Sequence, residues 1–431
     1  MATATNGIGK MVSRIESRFT ICTEAHDPKW LTARNKTDLF RFVCVPRKRA
    51  VASLCKKDTN RNQIQISSGH NKTKQNKAKT RQDKTKQRQD TTTSNNNNKK
   101  MTIDLFPDIV HENDLSPDGF GPAIDERCEQ IHDGVKGWGA NAKAVTEALG
   151  DTTATERYQI AMRYREIYEK DLREVMKSEF SGDYGTAVQL LALPPHEAEC
   201  RMIKLGTDGI GAKVVMVYSI LCGRTNREIE ILKKTYFKMY TKDLSAMLAS
   251  ELHGDMERLI FNCLQAGEDE FDPQFHSREK ITEDGDAIHK MGQARWGTDE
   301  KGIFKILCAS PPEHLTNVNT YYSEKYGYSL EKAMEKELGG NVEKACLFLL
   351  GMKLKPYETI SALIKSACAG FGTDELLLTC CCIRFQHVMK PVMSAHIELY
   401  SKTVHDRIRH ETGGKYRDLL LAVVNKAWPE F

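Results

Sequence analysis

The chain has 431 residues, 40% hydrophobic and 28% charged, enough for several domains of an ordinary globular kind. Its formal net charge of +5 averages two unlike parts: residues 1–100 hold 23 Lys+Arg against 7 Asp+Glu, and the remainder holds 40 against 51. The thirteen cysteines are odd in number and include the consecutive Cys380-Cys381-Cys382, which excludes a simple disulfide framework and favours a reducing compartment, with the triplet serving helix packing.

In chain order, residues 1–60 are mixed. Residues 61–100 are low in complexity, built from Lys, Gln, Asn, Thr and Arg. Such a stretch buries too little apolar surface to offset its ordering entropy, so 1–100 reads as a basic, disordered tail. One reading makes it an anionic tether and the sole route to nucleic acid. Another treats it as an A-rich leader translated upstream of a start at Met101, since Asn95 to Lys100 have A-rich codons. Residues 101–123, with Pro107, Pro117 and Pro122, read as an extended lead-in. No apolar run reaches the length of about 18 residues that spans a membrane, and no secretory signal pattern opens the chain.

From Ile124 onward the pattern is helical. Ile229, Leu232, Tyr236 and Tyr240 fall on one helix face, as do Leu419, Leu420, Val423 and Val424. No alternating strands appear. A shift of 72 residues superposes Glu156 on Glu228 and Lys170-Asp171-Leu172 on Lys242-Asp243-Leu244, which marks internal repeats of about five short helices. The expected division is repeat one at 124–194, repeat two at 195–267, a linker at 268–279, repeat three at 280–352 and repeat four at 353–428.

One pattern recurs in all four. A glycine loop leads into a helix, and a carboxylate follows at nearly fixed distance: Gly139 and Glu179, Gly211 and Glu251, Gly297 and Glu337, each 40 apart, then Gly372 and Glu411, 39 apart. In the third copy Thr298 is placed to cap the new helix, with Asp299 and Glu300 in its first turn. A single such loop is ordinary helix punctuation. Four loops with one acid at a fixed offset read instead as a shared site for a hard cation. Calcium takes about 6–8 oxygens, which loop carbonyls, one bidentate carboxylate and an outside oxygen can supply. An acidic body would be repelled by anionic lipid, and calcium at its surface would reverse that locally.

These residues, above all Trp296-Gly297-Thr298-Asp299-Glu300 and Arg224-Thr225-Asn226-Arg227-Glu228-Ile229, resemble the annexins, over roughly residues 120–428. The resemblance implies an all-α, slightly curved disc of four repeats that binds acidic phospholipid through calcium. It implies ligand sets of Val135, Gly137 and Gly139 carbonyls with Glu179; Thr207, Gly209 and Gly211 with Glu251; Gly292, Arg295 and Gly297 with Glu337; and Cys368, Gly370 and Gly372 with Glu411. Repeats one and two depart from the Gly-Thr-Asp-Glu pattern after the last loop glycine, reading Gly139-Ala140-Asn141-Ala142 and Gly211-Ala212-Lys213-Val214. Repeat four lacks one residue between Gly372 and Arg384. The residue before the last loop glycine is large and apolar in every repeat, namely Trp138, Ile210, Trp296 and Phe371. These tips are expected to touch the lipid interface.

Zinc-protease, phosphate-loop and nucleophile-elbow patterns are absent, and no nucleophile–base pair is evident. The function expected is therefore non-enzymatic: a cytoplasmic protein, reversibly peripheral at acidic membranes. The rival is a structural protein that uses the same disc for cytoskeletal partners or self-association.

Overall fold

The computed structural model describes residues 102–112, 120–137, 139–209, 211–292, 299–370 and 372–428. The expected basic tail at 1–100 lies outside them. Among the described residues the regular structure is helical throughout, without strands.

Twenty of the helical segments fall into four copies of one order. The first helices are Pro122–Gly134, Pro195–Thr207, Arg278–Gly292 and Pro356–Ala367. Three of them open on proline, whose missing N–H costs nothing in a first turn. The second helices are Val214–Leu221, Glu300–Ala309 and Glu375–Arg384, with Ala142–Val145 running on into a π turn, Thr146–Gly150, in the first copy. The third helices Ala154–Tyr168, Asn226–Tyr240 and Pro312–Tyr326 are each 15 residues long. Two of these start in capping boxes. Thr153 N–H donates to Glu156 Oε2 at 2.6 Å, and Thr225 N–H donates to Glu228 Oε2 at 3.1 Å, while each threonine hydroxyl accepts the return bond.

The fourth copy differs at its third helix. Gln386–Val388 form a 3-10 turn before the helix Met389–Tyr400. Twelve residues separate the second-helix N-cap from the third-helix N-cap in the first two copies, Asn141 to Thr153 and Lys213 to Thr225. Only eleven separate Asp374 from Phe385, and the tighter 3-10 turn takes up the difference. The residue missing from the fourth repeat is absorbed there, and the glycine loop before Asp374 keeps its span.

Each third helix ends on a left-handed residue: Glu169, Thr241 and Ser401 at φ 53°, and Gly327 at φ 83°. Reversal of the chain into the fourth helix demands that conformation, and only one of the four copies meets it with glycine.

The helices enclose a continuous apolar core. The faces expected from periodicity are buried, Ile229, Leu232 and Tyr236 in one helix and Leu419, Leu420, Val423 and Val424 in another, and Tyr240 is half-buried. Cys380, Cys381 and Cys382 are all buried within the helix Glu375–Arg384, as packing residues. The last helix, Gly414–Ala427, docks on Thr146–Gly150 of the first copy. A Cβ at Gly150 would come within 2.8 Å of the Ala422 Cβ, so glycine permits that approach.

A polar cluster ties copies one, two and four together. Glu199 accepts from Arg224 at 2.6 Å and from Arg384 at 3.0 Å. Arg157 donates to Gln386 Oε1 at 3.0 Å, and Gln386 donates to Thr152 O and Val423 O, both at 2.9 Å. All are nearly shielded from solvent, so removing one partner would strand a buried charge or dipole. The lead-in packs on this cluster. Leu105 N–H donates to Glu228 Oε1 at 2.7 Å, and Leu105, Phe106 and Val110 are buried, with a short helix at Asp108–Glu112.

Candidate functional site

Between the first and second helices the chain makes a short loop whose two ends are tied to each other. The backbone N–H of Asn141 donates to Gly134 O at 2.7 Å, Lys213 to Gly206 O at 2.7 Å, Asp299 to Met291 O at 3.2 Å and Asp374 to Ala367 O at 2.8 Å. Inside these clamps the glycines are left-handed: Gly137 and Gly139 at φ 97° and 84°, Gly209 and Gly211 at 102° and 85°, Gly370 and Gly372 at 107° and 105°. A Cβ on any of the six would touch nothing, so the requirement for glycine is one of backbone conformation rather than space. Among the described residues, no backbone N–H donates to the carbonyls of these six glycines.

The acidic half is as regular. The fourth helices are Leu172–Glu179, Leu244–Glu251, Leu330–Glu337 and Val404–Glu411, eight residues each, and every one ends on the acid singled out from the sequence. A carboxylate at a helix C-terminus faces the negative end of the helix dipole, which is unfavourable. The same local rule is broken four times in the same place, the signature of a position kept for something other than stability.

Loop and acid meet most visibly in copies three and four. A Cβ on Gly292 would lie 3.0 Å from Glu337 Cγ and 3.2 Å from its carboxyl carbon. Thr373, next to Gly372, donates its hydroxyl to Glu411 Oε2 and to Glu411 O, both at 3.2 Å. Burial first, and then the Glu411 charge, push the Cys368 thiol up to about 11. In copy one, Val135 and Glu179 line a single cleft, and Ser178 Oγ donates to Glu179 Oε1 at 3.4 Å. In copy two, Thr207 is buried with its hydroxyl turned to Ile203 O at 3.0 Å, and Asp208 is paired with Lys204 at 2.6 Å. Tyr236 is pushed up to about 12, chiefly by burial, with Asp208 and Glu251 among the charges that add to the shift.

Arg295 and Gly297 of the third ligand set lie outside the described residues, as do all four tips, Trp138, Ile210, Trp296 and Phe371. The N-cap of the helix Glu300–Ala309 is Asp299, which accepts from Gly302 N–H at 3.1 Å, rather than Thr298. In the fourth copy the threonine does other work. Asp374 caps its helix by accepting from Leu377 N–H at 3.1 Å, and Thr373 reaches across to Glu411. Sequence reasoning missed this loop-to-acid bridge, although the Gly-Thr-Asp order held the signal.

The donor set suits a hard cation. Among the described residues no group of three or more His, Cys, Asp or Glu could hold a metal, so at these loops backbone oxygens would do most of the holding. Among the described residues no helix is long and apolar enough to cross a membrane.

Comparison with known proteins places this arrangement. The family model described as Annexin matches residues 126–191, 198–262 and 285–349. The chain is 28% identical to human annexin A13 over 316 residues, covering 73% of this chain and 99% of that protein. Its fold matches a structure of an annexin A8 variant at a TM-score of 0.65 and 26% identity, covering 72% of this chain and 96% of the other. It also matches the fold of a calcium-bound annexin at a TM-score of 0.61 and 22% identity, over 70% of this chain and 90% of the other. The family model, the curated relatives and the solved structures all support the annexin family, whose members are calcium-dependent phospholipid-binding proteins.

Proposed function

We propose that this chain binds acidic phospholipid membranes when calcium occupies its glycine loops. The observation that carries the reading is the fourfold placement of an acid at a helix C-terminus, together with left-handed loop glycines before the second helix in copies one, two and four. When bound, calcium supplies positive charge that bridges the acidic protein to lipid phosphate. The protein's part is to hold oxygens in place beforehand. Left-handed glycines aim the loop carbonyls, the backbone clamp fixes the loop ends, and the helix delivers the carboxylate.

The ligand sets proposed are Val135, Gly137, Gly139 and Glu179; Thr207, Gly209, Gly211 and Glu251; Gly292, Arg295, Gly297 and Glu337; and Cys368, Gly370, Gly372 and Glu411. Trp138, Ile210, Trp296 and Phe371 are assigned to the lipid interface, where aromatic rings are favoured. The repeats are taken as 124–194, 195–267, 280–352 and 353–428, with 268–279 as linker. The protein is proposed to act without catalysis, at the cytoplasmic face, and to leave the membrane when calcium falls.

Sedimentation with phosphatidylserine vesicles tests this. The protein should pellet with vesicles in calcium and return to the supernatant on chelation. Equal pelleting with and without calcium would overturn the mechanism. Loss of binding on removing residues 1–100 would assign the anchor to the tail instead.

A further inference from the structure

Three cysteines meet where the second copy packs on the third. Cys222 follows the helix Val214–Leu221, Cys263 lies in Gly254–Leu264, and Cys308 lies in Glu300–Ala309. Cys263 Sγ stands 3.7 Å from Cys222 Sγ and 3.8 Å from Cys308 Sγ. Cys222 is buried, whereas Cys263 and Cys308 are half-buried and line a cleft that also holds Asn262, Glu268 and Lys353. A small solute in that cleft faces two thiols, with a third behind them.

The surroundings are built rather than incidental. Lys353 donates to Leu307 O at 2.9 Å, Cys308 O at 3.1 Å and Ser310 O at 2.7 Å, and pairs with Glu268 at 2.8 Å. The ammonium thereby caps the C-terminus of the helix that carries Cys308 and sets a positive charge beside the thiols. Asp269 N–H donates to Ala309 O at 2.8 Å, which ties the connecting segment to the same turn.

We propose that Cys263 is the shared partner of a peroxide-responsive disulfide, formed with Cys308 across the boundary between copies two and three or with Cys222 inside copy two. The Cys263 thiolate attacks one oxygen of hydrogen peroxide. The O–O bond breaks, Cys263 becomes a sulfenic acid, and the other oxygen leaves as water after taking a proton. The thiolate of Cys308 or Cys222 then attacks the sulfenic sulfur, forms the S–S bond and releases a second water. Two thiols lose two electrons, and one peroxide is reduced to two waters. To form the bond, the sulfurs close from 3.7 or 3.8 Å to about 2 Å.

The site is set for sustained rather than trace oxidant. Cys263 has the Cys222 thiol beside it, Cys308 has the Cys263 thiol beside it, and burial adds to both, so each is held well above the usual thiol range. Little thiolate exists at neutral pH, and its fraction rises about tenfold per pH unit.

The test uses the full, reduced chain without calcium, treated with hydrogen peroxide at pH 7.5 and 8.5. Remaining thiols are alkylated under denaturing conditions, and peptides are mapped by mass without reduction. The expected products are peptides joining Cys263 to Cys308 or to Cys222, formed about tenfold faster at pH 8.5 and reversed by dithiothreitol. Cys222→Ser should leave only the Cys263–Cys308 link, and Cys308→Ser only the Cys222–Cys263 link. Cys263→Ser should abolish both. Since that variant removes the shared partner and could disturb packing, the two single-partner variants carry the test independently. Links that do not include Cys263, or a Cys263 that stays alkylatable while other cysteines oxidise, would overturn the proposal.

Discussion

Lys213 and Asp374 form an ion pair at 3.1 Å, joining the residue that closes the second loop to the residue that closes and caps the fourth. Two candidate calcium loops, 161 residues apart in sequence, therefore share one contact. The pair is half-exposed, so its own contribution to stability is at most about 1 kcal/mol and is screened by salt. Lys213→Ala removes a positive charge close to two cation sites. Calcium titration at low salt should show tighter binding, by roughly twofold, with the difference vanishing at 1 M salt. Unchanged affinity at low salt would separate Lys213 from both loops.

The terminal acids should trade stability for binding. Glu179→Gln removes a negative charge from the wrong end of a helix, and calcium-free thermal stability should rise by a few tenths of a kcal/mol. Glu337→Gln should raise the calcium needed for vesicle binding, by about tenfold if the lost charge is worth about 1.4 kcal/mol. A Glu337→Gln protein with an unaltered calcium requirement would remove that residue from the site.

The left-handed helix ends offer a direct backbone test. Thr241 sits at φ 53°, where a side chain costs about 1 kcal/mol, while Gly327 fills the equivalent place at φ 83°. Thr241→Gly should stabilise the protein in urea denaturation, and Gly327→Ala should destabilise it by a similar amount. Equal midpoints in both variants would mean that these turns relax.

Acid sensitivity should come in part from a buried histidine, His396, with His196, lowered likewise to about 4 by burial, as a second source. His396 Nδ1 lies 2.8 Å from Ser361 Oγ, and Arg407 donates to His396 Nε2 at 2.5 Å. Burial, and then the Arg407 charge, lower it from 6.5 to about 4. The unfolded chain takes up its proton near pH 6.5 and the folded chain only near pH 4. Stability from this group is therefore full above pH 6.5 and lost as pH falls toward 4, by about 1.4 kcal/mol per pH unit. His396→Gln should flatten the fall in urea midpoint between pH 6.5 and 4.5. A fall as steep as in the unaltered protein would place the titration elsewhere.

The recurring helix order, the left-handed loop glycines and the acids at the ends of the fourth helices were readable because they rest on local rules. Left-handed loops need glycine, as at Gly139 and Gly211, and the acids stand at a fixed offset set by helix lengths. Contacts between copies were not readable. The Lys213–Asp374 pair, and the Glu199 carboxylate shared by Arg224 and Arg384, depend on how whole units pack, and single side chains carry no periodic trace of that. The Thr373–Glu411 bond was hidden for another reason. Threonine before aspartate fits a helix cap so well that the local reading absorbed it. Burial of Leu105 and Phe106 was likewise masked by the prolines around them, since an irregular backbone shows no period even when it packs.

The hydrogen bond that ties Asn141 to Gly134, and its counterparts in the other copies, joins the two ends of each loop at its neck. A substitution between those ends leaves the backbone bond at the neck in place. The residue before the last loop glycine already varies among the copies, being Trp138, Ile210, Trp296 and Phe371. A protein of this build would be an array of four adjustable contacts, the second and fourth joined by the Lys213–Asp374 pair, and duplication of the unit multiplies the options without rewriting the core.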